Sequence, residues 1–155
     1  MEERRFRIIV VDDDEETVET LSSMAELTGH EVASYTDPYK ALQSFMKTPA
    51  DLVITDLNMP HIDGFEMIKR MKERRKTTEF IVATGEKNLK TVFQARGLGV
   101  TFLFFKPVPL ADLEIAIDKI YDRALYWVEK LKEAGGKGEI ILLIKKFSKI
   151  LNRTA

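Results

Sequence analysis

FRIIVVDDDEETVETLSSMAELTG, residues 6–29, holds one complete strand-and-helix unit, and its reading sets the fold of the chain. Phe6 to Val11 is a strand whose core, Ile8, Ile9, Val10 and Val11, is apolar without alternation. Such a run suits a strand covered on both faces. From Glu15 to Leu27, Val18, Leu21, Met24 and Ala25 recur at helical spacing, and Gly29 follows as a stop. A doubly covered strand feeding an amphipathic helix is the building block of a parallel sheet.

The unit recurs outward from this stretch. Glu31 to Tyr35 is a weak second strand. Asp37 and Pro38 form an N-cap with Pro at the first helical position, and Ala41, Leu42, Phe45 and Met46 make the buried face of that helix. Leu52 to Thr55 is a third strand that runs straight into Asp56. The segment 57–64, with Pro60 and Gly64, reads as a loop, and Phe65 to Arg74 as a helix with Ile68 and Met71 inward. Phe80 to Thr84 is the fourth strand, ended by Gly85, and Asn88 to Arg96 is a helix with little apolar surface. Phe102 to Phe105 reads as a buried fifth strand, stopped by Lys106 and Pro107, and a last helix begins near Leu110. Five strands alternating with five helices predict an α/β fold, a doubly wound parallel sheet with right-handed crossovers and helices on both faces.

Composition narrows the function. At 155 residues the chain is close to one domain, and 24 Lys and Arg against 25 Asp and Glu leave a net charge of -1. A domain that binds nucleic acid by bulk electrostatics is typically basic, so that class is disfavoured. With no Cys, neither a disulfide nor a thiolate metal site is available. Met1 to Arg7 carries two Glu and three Arg ahead of a run of only four apolar residues. That pattern fits neither a signal peptide nor a membrane span, so a soluble, cytoplasmic protein is expected.

In open parallel sheets, functional groups gather at the carboxyl ends of the strands. There the sequence has Asp12, Asp13 and Asp14 after the first strand, Asp56 after the third, Thr84 after the fourth and Lys106 after the fifth. Singly, each has an ordinary explanation, such as a cap, an Asx turn or a lysine reaching out of a sheet end. Jointly they converge. If the first and third strands are neighbours, the carboxylates of Asp12, Asp13 and Asp56 meet, and two such charges about 4 Å apart repel by roughly 4 kcal/mol at an effective dielectric of 20. Hard oxygen ligands without His or Cys suit Mg, with Mn as a second choice. An ammonium and a hydroxyl beside that ion match the needs of a transferring phosphoryl group, with Asp56 as nucleophile forming an acyl phosphate.

VVDDDEE at 10–16, VITDLNMPHIDG at 53–64, ATG at 83–85 and FFKPV at 104–108 together resemble the signature of response-regulator receiver domains of two-component signalling, the CheY-like family. The resemblance covers residues 6 to about 122 and implies a flavodoxin-like strand order 2-1-3-4-5. It implies Asp56 as phosphoacceptor, Asp12 and Asp13 as the metal-holding pair, and a backbone carbonyl of Asn58 as a further metal ligand. Thr84 and Lys106 would bind phosphoryl oxygens, and the bond before Pro107 would be cis. Asp14 receives no metal role and reads as a cap. The family's variable positions near the acceptor fall on Asn58 and Glu86; an amide and a carboxylate there can orient water, which implies relatively fast self-dephosphorylation. Leu103 stands at the switch position, where the family usually carries Tyr or Phe. Phe102 and Phe104, one residue to either side, point to the opposite sheet face.

The resemblance further implies a signalling receiver rather than an enzyme, its only chemistry being its own phosphorylation and dephosphorylation. The expected donor is a histidine kinase or histidine phosphotransfer protein, and the output an unspecified downstream protein. The rival reading is a metal-dependent phosphohydrolase of the haloacid-dehalogenase type, with Asp12 as nucleophile and Asp14 two residues on. Its late acidic pair does not follow the fourth strand, and a Walker A loop is also missing.

The receiver resemblance accounts for residues 1–122 and leaves 123–155. Ile117, Ile120, Ala124, Trp127 and Leu131 keep a 3-4 spacing that extends the last helix, and Gly135, Gly136 and Gly138 then break the chain. Ile140, Leu143, Ile144, Phe147, Ile150 and Leu151 form a stripe on a further amphipathic helix. Folding back onto the extended helix is the favoured reading, a homodimer through these helices the second, and membrane contact the third. Residues 137–155 carry +4 and residues 1–136 carry -5, so the near-neutral total hides an acidic body and a basic end.

Overall fold

The computed structural model describes residues 5–137. Five strands alternate with five helices: β1 Arg7–Val11, α1 Glu15–Glu26, β2 Glu31–Tyr35, α2 Pro38–Lys47, β3 Leu52–Thr55, α3 Gly64–Arg74, β4 Glu79–Thr84, α4 Leu89–Gly97, β5 Phe102–Phe105 and α5 Leu110–Glu133. All four pairings are parallel and the strand order is β2-β1-β3-β4-β5. The flavodoxin-like α/β fold and its order are as expected. The order reverses beside β1, so the ends of β1 and β3 border the crevice.

Side chains of the strands alternate between two cores, as a pleated strand requires. Ile9, Val11, Val53, Phe80 and Val82 pack with α2 and α3. Ile8, Val10, Leu52, Ile54, Ile81 and Ala83 pack with α1 and α5. β1 and β3 are central and covered on both faces, which explains their unbroken apolar runs.

Four helices begin on a side-chain cap that satisfies an otherwise orphaned backbone N–H. Asp14 accepts from Thr17 N, Asp37 from Tyr39 N, Asp63 from Phe65 N and Asn88 from Thr91 N. The expected cap roles of Asp14 and Asp37 hold, and Gly29 follows α1 with a φ of 84°.

Several boundaries and burials differ from the sequence reading. β1 starts at Arg7 and not Phe6, α1 ends one residue early, α3 begins at Gly64 and β4 at Glu79. Phe6 is buried nonetheless, its ring set edge-on against Tyr121. The Phe102–Phe105 strand, expected to be buried, is half-exposed at every residue. It is the last strand of the sheet, so one long edge and parts of both faces meet solvent. Trp127 lies on the predicted apolar stripe of α5, yet it is 59% exposed. The stripe has run past the end of the sheet by that point, and α5 itself crosses residue 122 without interruption. The predicted helix in 139–152 lies outside the described residues.

Candidate functional site

The sheet ladder carries the acidic residues to their positions. Asp12 N donates to the carbonyl of Tyr35 at 3.2 Å, and Asp56 N to that of Val11 at 3.1 Å, one step beyond the ends of β1 and β3. Lys106 N donates to the carbonyl of Thr84 at 2.9 Å, tying the end of β5 to the end of β4. The Lys106–Pro107 bond is cis, as the resemblance implied.

Two carboxylates converge on one ammonium. Lys106 Nζ lies 2.6 Å from Asp12 Oδ2 and 2.8 Å from Asp56 Oδ2. Each carboxylate is also held by backbone: Asp12 Oδ1 accepts from Asp14 N at 2.9 Å, and Asp56 Oδ1 from Leu57 N at 2.6 Å. Burial raises the Asp12 carboxyl above the ordinary aspartate value, against the lowering effect of its Lys106 hydrogen bond. Burial works against the Lys106 charge as well, but its hydrogen bonds to Asp12 and Asp56 prevail and hold the amine above the ordinary lysine value.

Asp13 completes the cluster. One oxygen from each of Asp12, Asp13 and Asp56 lies within 4.8 Å of the others, with Asp12 and Asp56 buried and Asp13 exposed. Three carboxylates facing one ammonium leave two negative charges, and the donors are all hard oxygens. That set fits a divalent ion that keeps part of its water shell.

Thr84 is fully buried, and its Oγ1 accepts from Glu86 N at 3.2 Å. The Glu86 carboxylate accepts in turn from Asn88 Nδ2 at 3.1 Å, an attachment to the cap of α4 that motif spacing could not disclose. Asn58 is exposed on the loop, with its N–H 3.5 Å from Asp56 Oδ1. Leu103 is half-buried and, like Leu98 and Val100, packs against the α2/α3 core. Two residues along the strand, Phe105 stands in register with Thr84, and Lys87 Nζ lies 5.7 Å from its ring centroid. Asp14, the second acid of the hydrolase reading, is engaged elsewhere: Thr17 donates to it through both N, at 2.9 Å, and Oγ1, at 2.6 Å. Those hydrogen bonds hold its carboxyl below the ordinary value.

Sequence reasoning treated Gly64 only as a loop marker, and its role is steric. A Cβ there would overlap the Asp56 carbonyl oxygen and lie 2.7 Å from Leu57 Cα. The first turn of α3 therefore sits directly on the backbone that carries Asp56, with Gly64 N donating to Leu57 O at 2.9 Å. Gly64→Ala is expected to cost about 1–3 kcal/mol by pushing the first turn of α3 away from the Asp56–Leu57 backbone. Urea unfolding checks this; an unchanged midpoint would refute the contact.

The family model described as "Response regulator receiver domain" matches residues 8–118. FlgR, a transcriptional regulatory protein of Helicobacter pylori, is 34% identical over 117 residues, which are 75% of this chain and 29% of that protein. The sensor protein EvgS of Escherichia coli O157:H7 is 27% identical over 120 residues, 77% of this chain but only 10% of the sensor. The chain thus spans a small part of these curated relatives. A crystal structure of a response regulator receiver domain protein from Clostridium thermocellum superposes with a TM-score of 0.72 at 28% identity, covering 78% of this chain and 98% of that one. With the strand order, the carboxylate cluster at the switch point and the family model in agreement, the chain belongs to the response regulator receiver domain family of two-component systems.

Proposed function

We propose that Asp56 accepts a phosphoryl group from a phosphohistidine donor and that the change at this site alters protein contacts elsewhere on the domain. The observation that carries this reading is the single Lys106 ammonium shared by the Asp12 and Asp56 carboxylates at the end of the central strands. Asp12, Asp13, Asp56 and the carbonyl of Asn58 would hold the metal. A bound Mg ion, or Mn in its place, supplies charge neutralisation for the incoming phosphoryl oxygens.

The protein's own groups do the remainder. A carboxylate oxygen of Asp56 forms the new P–O bond as the P–N bond of the donor breaks and the imidazole leaves. Leu57 N–H and the tether to the β3 ladder keep the carboxylate aimed, so little rotational freedom is lost on approach. Lys106 exchanges one carboxylate partner for a phosphoryl oxygen, and the Thr84 hydroxyl donates to another. This is self-modification in a signalling domain, with a histidine kinase or histidine phosphotransfer protein as donor and the cytoplasm as the expected place of exchange. Residues 1–122 make up the receiver in this reading, and 123–155 an added segment that begins with the end of α5. The hydrolase alternative is disfavoured because Asp14 caps α1 and so is not placed to serve an Asp12 nucleophile.

Labelling with acetyl phosphate, with and without Mg, followed by peptide mapping tests the assignment. The expected result is Mg-dependent acyl phosphate on the peptide containing Asp56; label on the Asp12 peptide would support the hydrolase instead. Asn58 and Glu86, two residues beyond Asp56 and Thr84, offer an amide and a carboxylate able to orient water for hydrolysis. The phosphoryl-aspartate of a Glu86→Lys variant is therefore expected to outlive that of the native protein. An equal or longer native lifetime, measured by loss of label after donor removal, would count against that role.

A further inference from the structure

The segment between β4 and α4 is tied down at three successive residues, and the first two ties converge on Thr84. Glu86 N donates to Thr84 Oγ1 at 3.2 Å. Lys87 Nζ stands 5.7 Å from the ring centroid of Phe105, the residue paired with Thr84 across the sheet. Asn88 Oδ1 accepts from Thr91 N at 2.9 Å, and Asn88 Nδ2 donates to Glu86 Oε1 at 3.1 Å.

One amide thus has two tasks. Its carbonyl satisfies an N–H in the first turn of α4, and its NH2 holds a carboxylate. The two bonds agree on a single orientation of the amide, because turning it over would set NH2 against N–H and a carbonyl against a carboxylate. The cap is itself anchored, since Thr91 is buried and, with Ala95, fixes α4 to the body of the protein.

An untethered glutamate side chain spreads over many rotamers, few of which put its carboxylate in one place. Glu86 is restrained at both ends, its backbone by Thr84 and its carboxylate by Asn88. One carboxylate oxygen accepts from Asn88, and the other can accept from a water. We propose that Asn88 is a positioning residue for self-dephosphorylation, its side-chain amide holding the Glu86 carboxylate where it orients water toward the Asp56 acyl phosphate. The role rests on the reading of Asp56 as phosphoacceptor and Glu86 as the group that orients water. In that step the water oxygen bonds to phosphorus and the P–O bond to Asp56 breaks, returning the carboxylate. One water proton stays on the inorganic phosphate and the other passes by way of Glu86 to solvent.

Asn88→Asp separates the two tasks, because aspartate is an equally good N-cap but has no donor for Glu86. The full chain is labelled with acetyl phosphate and Mg, and loss of acyl phosphate after donor removal is compared in the native protein, Asn88→Asp, Glu86→Gln and the double variant. Asn88→Asp is expected to lengthen the lifetime about threefold with its urea midpoint unchanged, and the double variant to decay like Glu86→Gln alone. An Asn88→Asp lifetime equal to or shorter than the native one would overturn the positioning role and leave Asp56 as acceptor. The same lengthening in the Glu86→Gln background would also overturn it, since the effect would then not pass through Glu86. A native lifetime in Glu86→Gln would remove the water-orienting role and the role of Asn88 with it. Failure of Asp56 to become labelled in the native protein would instead overturn the phosphoacceptor reading on which both depend.

Discussion

Asp56→Asn is expected to abolish Mg-dependent labelling by acetyl phosphate, while Asp12→Asn lowers labelling strongly without moving it to another residue. The first substitution replaces a nucleophilic carboxylate with an amide of nearly the same shape. The amide carbonyl can still accept from Leu57 N–H, so the loop stays in place while the nucleophile is lost. The second leaves the nucleophile intact but removes one charge from the set of Asp12, Asp13 and Asp56. It also replaces the charged partner 2.6 Å from Lys106 with a neutral amide, so the ammonium leans more on Asp56 and competes with metal for that carboxylate. Higher Mg concentration should recover part of the Asp12→Asn labelling and none of the Asp56→Asn labelling. Label retained in Asp56→Asn and lost in Asp12→Asn would reverse the two roles and overturn the receiver mechanism.

The second large effect lies at the opposite end of the sheet. Arg75 Nη2 lies 3.0 Å from Asp51 Oδ1, and both side chains are more than nine-tenths buried. Arg7 N donates to Asp51 Oδ2 at 2.8 Å, and Arg75 Nη1 to the carbonyl of Ala50 at 3.1 Å. The group joins β1, the approach to β3 and the end of α3. Arg75→Met leaves a buried carboxylate without its counter-charge, and breaking such a pair from one side costs about 3–5 kcal/mol. That is a large part of the 5–15 kcal/mol typical of a domain. The double variant Asp51→Asn with Arg75→Met removes both charges and should recover much of the loss. Urea unfolding of the three proteins measures this; a single-variant loss below about 1 kcal/mol would show that the pair is not integral to the fold.

The same pair has a pH signature. Burial raises the Asp51 carboxyl above its ordinary 3.8, although Arg75 acts in the opposite direction. The folded state therefore holds this proton more tightly than the unfolded state. The site contributes stability at low pH that is lost as pH rises from 3.8 through the raised value. Without Arg75 the carboxyl rises further, so the deficit of Arg75→Met should shrink as pH falls. A deficit that grows on acidification would contradict this.

Asp12, Asp56, Thr84 and Lys106 were legible because each ends a strand or directly follows one. A strand read from an apolar run places its next residue at the sheet's carboxyl end whatever the remainder of the chain does. Asp12, Asp56, Thr84 and Lys106 were found in that way. The Asp51–Arg75 pair was not, because Asp51 precedes β3 and Arg75 follows α3, where polar residues are ordinary and nothing local marks them as buried. The contact of Gly64 was hidden for a similar reason: a glycine before a helix usually signals a turn, and only the packing of α3 on the Asp56 loop makes it a steric requirement.

The amino-acid sequence was enough for the element order, the doubly covered central strands, the caps at Asp14 and Asp37, and the residues that stand at the carboxyl ends of the strands. Those properties follow from local periodicity, N-cap chemistry and the alternation of strands with helices. Only the packed elements settle that Lys106 bridges Asp12 and Asp56, that Phe102 to Phe105 form a half-exposed edge, and that Trp127 on the α5 stripe is exposed. Each of these depends on which elements become neighbours. The Lys106 bridge spans 94 residues to Asp12 and 50 to Asp56, a separation at which only the folded packing, and no pattern along the chain, brings the charges together.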